Sequence, residues 1–442
     1  QGAQLQAYDP IPMSDDHTFS VENLFYTGTW GDISFTGTAY DGTLPVISIG
    51  MWNGRQPIQM SGTYEISPSG YHDCRHLQSG FLNRPLYANV ANVVFDCEES
   101  SSSDRVYFLL QVYKGAIQKS LTFSPKSSSE VLSEDPVVVA YLDDNVILGF
   151  NFVDNSSQIV TISGDLKILS QTTLQGFKTV AISGYFYYNE FVVGGTTPEG
   201  QSTFLSFVEN KVFSEYATSG KASLISMGVG NTQLYACLQV ENGHFQTLLM
   251  NRTKLQLISA SAVELPEDEQ PVCLGSGTQE VFTLNGTGLS GWVFNGSGQL
   301  VSSFESKDED KLANFHNINS TAIYGSFLLL SVGYDGSSEE YVFAATDLTA
   351  TGPEFRDASA SFTLSSLPQG GNSTVKSSTS AQVTNLTIGV APKDTVKPFG
   401  PQPDPDEDVA QDLGFLPENV AQDFFAIFGL ISMQKVHETP WV

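Results

Sequence analysis

The sequence predicts an all-β protein built from repeated four-stranded antiparallel units, and three observations lead to that prediction. Short apolar strands recur at a spacing of about 45 residues from residue 130 onward. Turn signals rich in Gly, Asn and Asp separate these strands. The apolar runs are nearly continuous instead of alternating with polar residues, which is typical of strands covered on both faces. With 442 residues and 40% hydrophobic content, the chain can build a large core.

The second strand of each unit gives the clearest period. Its centres lie near residues 148, 192, 236, 282 and 329, and third strands follow in step. Fourth strands are predicted at the more polar stretches 166–168, 211–215 and 254–257, and two earlier units at 32–67 and 92–123. Four strands in a period near 45 residues are the signature of β-propeller blades. Residues 18–366 are therefore predicted to form a propeller of about seven blades.

In this architecture the chain resembles β-propellers of the general WD40/Kelch type. The Kelch-like double glycine after a second strand occurs once, at Gly194-Gly195, and no Trp-Asp pair ends a strand. The complete Ser-x-Asp-x-Gly-x-Thr-Trp box of sialidase-like propellers is absent. The resemblance therefore implies a fold and carries over no catalytic residue. The structural alternative is three or four tandem β-sandwich domains, but no Pro-rich or polar linker occurs at intervals of about 100 residues.

Composition limits the classes of partner. The chain carries 20 Lys and Arg against 48 Asp and Glu, a net charge of −28, while aromatic residues reach 11%. Such aromatic content is unlike that of a disordered acidic chain. A field this negative repels polyanions, so nucleic acid is not an expected partner. No apolar run reaches the roughly 18 residues that span a bilayer, so no membrane span is expected.

Several features favour a secreted, extracellular glycoprotein. The chain starts with Gln1 and no Met, which is typical of a protein after removal of its signal peptide. Seven Asn-x-Ser/Thr sequons are predicted glycosylation sites, with accidental matches in Asn-rich turns as the alternative. These sites are Asn155, Asn251, Asn285, Asn295, Asn319, Asn372 and Asn385.

Four cysteines are an even number, which favours disulfide bonds in a secreted chain. The simplest of the three possible connectivities joins Cys74 to Cys97 and Cys237 to Cys273. The alternative is that Cys237 and Cys273, which both lie in apolar runs, are buried free thiols.

The composition changes after the predicted propeller. Residues 1–17 are predicted to be an N-terminal extension, residues 367–408 a Gly/Ser/Pro-rich linker, and residues 409–442 a docking segment. Within the linker, residues 381–390 alternate well enough to form a strand. The apolar stretch 420–433 either folds back on its own propeller, inserts into a neighbouring copy, or belongs to a lipid-anchor signal.

Donation of a strand to a neighbouring copy is the specific form of the second alternative, because backbone pairing supplies affinity and alternate side chains supply register. The residues predicted to mediate this self-assembly are Val383, Leu386, Ile388, Phe424, Phe425, Ile427, Phe428, Leu430 and Ile431.

No pattern of residues predicts catalytic chemistry. His72 and His76 could hold a metal only if both faced one way, and a β-rich loop closed by Cys74 is the simpler interpretation, so no metal, cofactor or catalytic residue is predicted. Trp30, Trp52 and Trp292 are candidate sugar-stacking surfaces, with core packing as the alternative.

The sequence thus favours a structural or adhesive glycoprotein that self-assembles through its C-terminal segment into a filament, appendage or coat. The alternatives are a monomeric propeller that binds carbohydrate or protein, and a secreted propeller hydrolase or lyase.

Overall fold

The computed structural model describes the chain in part. Side chains are described for residues 64–80, 91–102, 104–113, 115–125, 137–142, 144–184, 190–230, 232–240, 245–262, 374–378 and 386–398, and for Pro45, Cys273, Ser297 and Gln299. For the other strands between Gln4 and Ser380 the backbone alone is described, and residues 399–442 lie outside the description. Residues Gln1–Pro401 belong to one compact unit.

The described strands form seven antiparallel sheets, which we call blades 1 to 7. Each blade is built from four strands. They are β2 Phe19–Tyr26, β3 Asp32–Ala39, β4 Leu44–Met51 and β5 Gln59–Ile66 in blade 1; β6 Tyr71–Gly80, β7 Ala91–Glu99, β8 Arg105–Tyr113 and β9 Ala116–Pro125 in blade 2; β10 Val137–Leu142, β11 Asn145–Asn151, β12 Ser156–Ser163 and β13 Ile168–Gln175 in blade 3; β14 Lys178–Gly184, β15 Glu190–Thr196, β16 Ser202–Val208 and β17 Lys211–Ala217 in blade 4; β18 Ala222–Val229, β19 Gln233–Val240, β20 Phe245–Asn251 and β21 Leu257–Val263 in blade 5; β22 Val272–Gly275, β23 Gln279–Asn285, β24 Gly288–Phe294 and β25 Leu300–Ser306 in blade 6; and β26 Phe315–Tyr324, β27 Phe327–Tyr334, β28 Glu340–Thr346 and β1 Gln4–Tyr8 in blade 7.

The blades close into a ring, as in a β-propeller. The first strands of blades 1 to 6 contact one another in sequence, and β26 of blade 7 contacts both β2 of blade 1 and β23 of blade 6. Blade 7 contains strands from both ends of the propeller sequence, because its outer strand is the N-terminal strand β1. Strand β1 pairs antiparallel with β28, with Gln4 opposite Thr346 and Tyr8 opposite Val342. The predicted propeller is therefore confirmed, and the predicted N-terminal extension contains the strand that completes its last blade.

Five further short strands follow the ring, and we call them the rim strap. They are β29 Phe355–Arg356, β30 Phe362–Thr363, β31 Lys376–Ser380, β32 Leu386–Gly389 and β33 Val396–Pro398. Each pairs antiparallel with the last strand of a blade, in the order blade 6, blade 5, blade 3, blade 2, blade 1. The strap therefore follows the outer edges of the blades from blade 6 back to blade 1, opposite to the order in which the blades occur along the sequence.

The core lies between neighbouring blades. Four apolar clusters fill the junctions between blades 1 and 2, 2 and 3, 3 and 4, and 4 and 5. Adjacent residues of one strand face opposite junctions: Val192 belongs to the cluster shared with blade 5, and Val193 to the one shared with blade 3. Since successive side chains of a strand point to opposite faces, a strand buried on both faces reads as a continuous apolar run. This arrangement explains the pattern in the sequence.

Two fourth strands begin later than predicted. The stretches 166–168 and 254–257 fall mainly in turns, where Leu166 has φ +60° and Leu255 φ +51°, and strands β13 and β21 begin at Ile168 and Leu257. Because leucine is also common in strands, the apolar side chains of these two turn residues made them look like the first residues of a strand in the sequence. Leu255 is nevertheless buried under its turn, only 3% exposed.

The predicted disulfide bonds are both present. Cys74 pairs with Cys97 within blade 2, joining β6 to β7, and Cys237 pairs with Cys273, joining β19 of blade 5 to β22 of blade 6. The alternative of free thiols at Cys237 and Cys273 is thereby wrong. Disulfide bonds form and persist in oxidising compartments, so these two bonds indicate an oxidising, extracellular-type environment.

Candidate functional site: a buried ion cluster and the rim strap

A buried carboxylate organises one end of blade 2, beside the Cys74–Cys97 disulfide. Asp96 is completely buried in β7. Arg75 on β6 donates two hydrogen bonds to it, Nε to Oδ1 at 3.0 Å and Nη2 to Oδ2 at 2.7 Å. Arg105 on β8 approaches from the other side, with Nη2 3.2 Å from Oδ1. Two guanidinium groups from the two flanking strands thus enclose one carboxylate, and such charge-assisted bidentate pairs are strong and directional.

Arg105 extends the cluster to the surface. Its Nη1 lies 3.1 Å from Asp73 Oδ2 and 3.2 Å from Glu98 Oε1, and its Nη2 donates to the Asp73 carbonyl at 3.1 Å. Asp73 itself has φ +45°, so this interaction holds a left-handed backbone residue in place. His72 Nε2 lies 3.6 Å from Glu98 Oε2. Arg105 thereby fixes the beginning of β6 to the neighbouring strands.

The electrostatics of this cluster fit a structural role. The hydrogen bonds from Arg75 to Asp96 raise the pKa of Arg75 against the opposing effect of burial. Burial raises the pKa of Tyr107, and the charge of Asp96 raises it further. Both shifts move the pKa values of Arg75 and Tyr107 further from neutral pH. Within the described ranges, no group of three or more His, Cys, Asp and Glu side chains could hold a metal ion.

The two predicted alternatives for the histidines can also be compared with the geometry. His72 faces Glu98, whereas His76 Nε2 lies 2.9 Å from Ser79 Oγ in its own strand. The pairing of β6 with β7 shifts register between His72 and Arg75 and again between His76 and Gln78. The strand is therefore irregular here, and the two imidazoles have different polar neighbours.

A second ion pair fixes blade 5 to blade 4. Arg252, in the turn after β20, places Nη2 3.0 Å from Glu190 Oε2, and Thr253 Oγ1 donates to the same oxygen at 2.8 Å. The Thr253 carbonyl also accepts a hydrogen bond from Ser206 Oγ at 2.7 Å. This turn contains the sequon at Asn251, so the sequon threonine has a structural role in the folded chain.

The rim strap is held by more than strand pairing. Ser67 N donates to the Thr395 carbonyl at 2.8 Å, and Ala391 N donates to Ser120 Oγ at 3.1 Å. Ser69 Oγ donates to the Asp394 carboxylate. Thr395 and Ala391 are buried at the junction of blades 1 and 2, where Ala391 joins the apolar cluster. Residues 386–398 of the strap, which lie in the region predicted to be a linker with one candidate strand, are therefore an integrated part of blades 1 and 2.

The structure places the predicted assembly residues in two groups. Leu386 and Ile388 lie in β32, which pairs with β9 of the same chain, where Leu386 packs against the junction of blades 2 and 3 and Ile388 is 55% exposed. The predicted strand at 381–390 therefore exists in a shorter form, and it pairs within its own chain. Val383 and the residues from Phe424 to Ile431 lie outside the described residues.

Four of the predicted glycosylation sites fall on described strands and turns of the blades. Asn155 is exposed in the turn between β11 and β12 with φ +58°, and Asn251 is half-buried at the end of β20. Asn285 ends β23 and Asn319 lies within β26, where the backbone alone is described. Asn295, Asn372 and Asn385 lie outside the described residues. Among the candidate stacking residues, Trp292 lies in β24, and Trp30 and Trp52 fall outside the description.

Sequence reasoning missed the ion cluster around Asp96. One signal was available, because Asp96 ends the apolar run of β7, and a charge inside a doubly covered strand needs a partner. The identity of the partners depends on the register between β6, β7 and β8, which is a property of the folded sheet.

Comparison with known proteins identifies no family for the chain. No protein-family model matches the sequence, and no curated protein matches it. Several solved structures are similar to the chain at low sequence identity. They include U3-55K, with 12% identity over 77% of this chain and 98% of that chain and a TM-score of 0.48; Chaetomium thermophilum Raptor, with 13% identity over 80% of this chain and 29% of that chain and a TM-score of 0.46; and Saccharomyces cerevisiae Sqt1, with 10% identity over 77% and 99% and a TM-score of 0.39. The part of the chain that is described contains no helix long and apolar enough to cross a membrane.

Proposed function

We propose that this chain is a secreted structural or adhesive glycoprotein that self-assembles through its C-terminal segment into an extracellular filament, appendage or coat. The observation that carries the proposal is the rim strap. Among the described strands, five blades have an added strand at their outer edge. The outer strands of these blades thus pair with extended segments of the same chain, and backbone pairing of this kind is a general mode of peptide capture.

The segment that follows the strap has the composition of a docking element. After Pro398 the chain continues through the acidic run 404–408 to the apolar stretch 420–433, which contains Phe424, Phe425 and Phe428. An apolar stretch of 14 residues is too short to span a bilayer, and a surface of this kind favours burial against protein. The two disulfides support residence outside the cell, because such bonds persist in oxidising compartments.

Light scattering on the purified full chain tests the proposal. The wild-type chain is expected to give masses of many copies, whereas the variant Phe424→Ser/Phe425→Ser/Phe428→Ser is expected to remain monomeric. Val390→Ser removes another exposed apolar side chain, 77% exposed at the end of β32, and should assemble like the wild type. A wild-type chain that stays monomeric, or a triple variant that assembles normally, would overturn the proposal.

A further inference from the structure

Exposed apolar side chains recur on the outer strands of three of the blades whose side chains are described. The described part of the chain exposes seven large apolar side chains, and four of them lie at the beginnings of the last strands of blades 3, 4 and 5. They are Leu169 at 43%, Phe213 at 60%, Leu257 at 37% and Ile258 at 45% exposed. These three blades are consecutive in the ring, and we call the exposed positions on their outer strands the band.

The described strands of the rim strap do not pair with the residues of this band. On blade 3, β31 pairs with residues 171–175 of β13, beyond Leu169. On blade 5, the described strand β30 pairs with Ala262 and Val263, at the far end of β21 from Leu257. On blade 4, no strap strand among the described residues pairs with β17. The first half of each outer strand therefore keeps its apolar side chains open to solvent.

A lysine accompanies each apolar position. Exposed Lys167 and Lys211 stand two residues before Leu169 and Phe213, and exposed Lys254 stands three residues before Leu257. Each lysine lies at the turn that joins the third strand of its blade to the fourth. The acidic residues in these turns are Asp165, which is paired with Lys119 at 2.9 Å, and Glu209. A band that alternates apolar and basic groups stands out on a chain of net charge −28.

We propose that this band, defined by Lys167, Leu169, Lys211, Phe213, Lys254 and Leu257, is the receptor for the C-terminal segment of a second copy of the chain. The inference rests on the proposed function and names the surface that the segment meets. The segment is complementary, because it carries the acidic run 404–408 followed by Phe424, Phe425 and Phe428. Its attachment to a surface distant in sequence makes a heterologous contact, and contacts of this type propagate into rings or filaments.

Variants of the full-length chain test the assignment of the receptor band separately from the proposed self-assembly. Lys211→Glu/Phe213→Ser changes two exposed side chains of the band, so the fold should persist, as checked by an unchanged thermal unfolding midpoint. Its self-association, measured by sedimentation velocity, should be at least about tenfold weaker, because a buried phenyl ring and an ion pair are both lost. Val153→Ser is the matched control, since Val153 is 57% exposed in the turn between β11 and β12, at the opposite end of blade 3 from Lys167.

Mixing two variants tests the direction of the contact. The band variant keeps its C-terminal segment, and the variant Phe424→Ser/Phe425→Ser/Phe428→Ser keeps its band, so an equimolar mixture should form dimers more strongly than either variant alone. Absence of dimers in the mixture would overturn docking between copies and favour docking within one chain. If the band variant assembles like the wild type while the triple variant does not, the receptor assignment is wrong and the proposed function stands. If the wild type itself is monomeric, the proposed function is wrong.

Discussion

The glycine pair Gly194-Gly195 shows how single residues set the distance between strands and blades. A Cβ on Gly195 would lie 2.1 Å from the Lys178 carbonyl oxygen and 2.5 Å from Cζ of Phe177. A Cβ on Gly194 would lie 2.5 Å from Cδ2 of Leu224, a residue of the next blade. The pair that resembles a Kelch motif therefore allows close packing within blade 4 and against blade 5.

Substitution Gly195→Ala should lower the free energy of unfolding by about 1–3 kcal/mol, because the new methyl group overlaps backbone that cannot move away. Chemical denaturation measures the change. Gly220→Ala is the matched control, since no heavy atom lies within 4 Å of its Cβ position and its effect should stay within about 0.5 kcal/mol. Equal effects of the two substitutions would contradict this account.

The buried carboxylate of Asp96 is the shared ion-pair partner of Arg75 and Arg105. Asp96→Asn keeps the shape of the side chain and leaves Arg75 and Arg105 without their shared counter-charge. We expect a loss of about 3 kcal/mol of stability, the scale found when one partner of a buried ion pair is removed. Asp104→Asn, on an exposed residue of the adjacent β7–β8 hairpin, serves as the control. A stability of Asp96→Asn equal to that of the control would show that the cluster contributes nothing.

Among the strands, those of the rim strap could not be recognised from amino-acid composition. Residues 374–398 are rich in Ser, Thr, Lys and Pro, and such a composition predicts an extended linker. An edge strand needs only backbone hydrogen bonds along one side, so β31, with the sequence Lys-Ser-Ser-Thr-Ser, pairs without apolar alternation. The second strands of the blades were predicted well because burial on both faces constrains their composition. The strand predicted at 381–390 overlaps β32, whereas the other four strap strands escaped prediction because nothing constrains the exposed side of an edge strand.

The attachment of the strap to blade 1 should depend on pH. The hydrogen bond from Ser69 lowers the pKa of Asp394 below its ordinary value of 3.8, and the charge of Lys397 contributes less. A carboxylate with a lowered pKa stabilises the folded state above the ordinary pKa, and that contribution disappears as the pH falls through the lowered value. Amide hydrogen exchange in residues 386–398 should therefore lose protection below about pH 4. In Asp394→Asn this pH dependence should be reduced, and an unchanged pH profile in that variant would contradict the assignment.

At the scale of the whole molecule, the ring is closed by strand β1. The period of the sequence predicted the number of units, because each blade repeats the same burial on both faces. It did not predict which residues close the ring, since the five residues Gln-Leu-Gln-Ala-Tyr are too short and too polar to register as part of a repeat. The first strands β2 and β6 also escaped prediction, because their blades precede the regular part of the period.

Removal of residues 1–9 should open blade 7. The deletion exposes the edge of β28 and removes the backbone pairing of five residues, so we expect a loss of about 2–5 kcal/mol of stability, at about 1 kcal/mol for each hydrogen bond. Removal of residues 1–3, which precede β1, is the control and should leave the unfolding midpoint unchanged. Differential scanning calorimetry measures both, and equal midpoints for the two deletions would argue against closure by β1.

Electron cryomicroscopy of the purified, glycosylated full-length chain would show whether closed propellers join through their C-terminal segments. We expect filaments or regular arrays whose repeating unit is a ring of seven sheets, with density that leaves one ring and reaches the rim of the next at blades 3 to 5. Separate rings without connecting density, at concentrations where the chain is soluble, would contradict it.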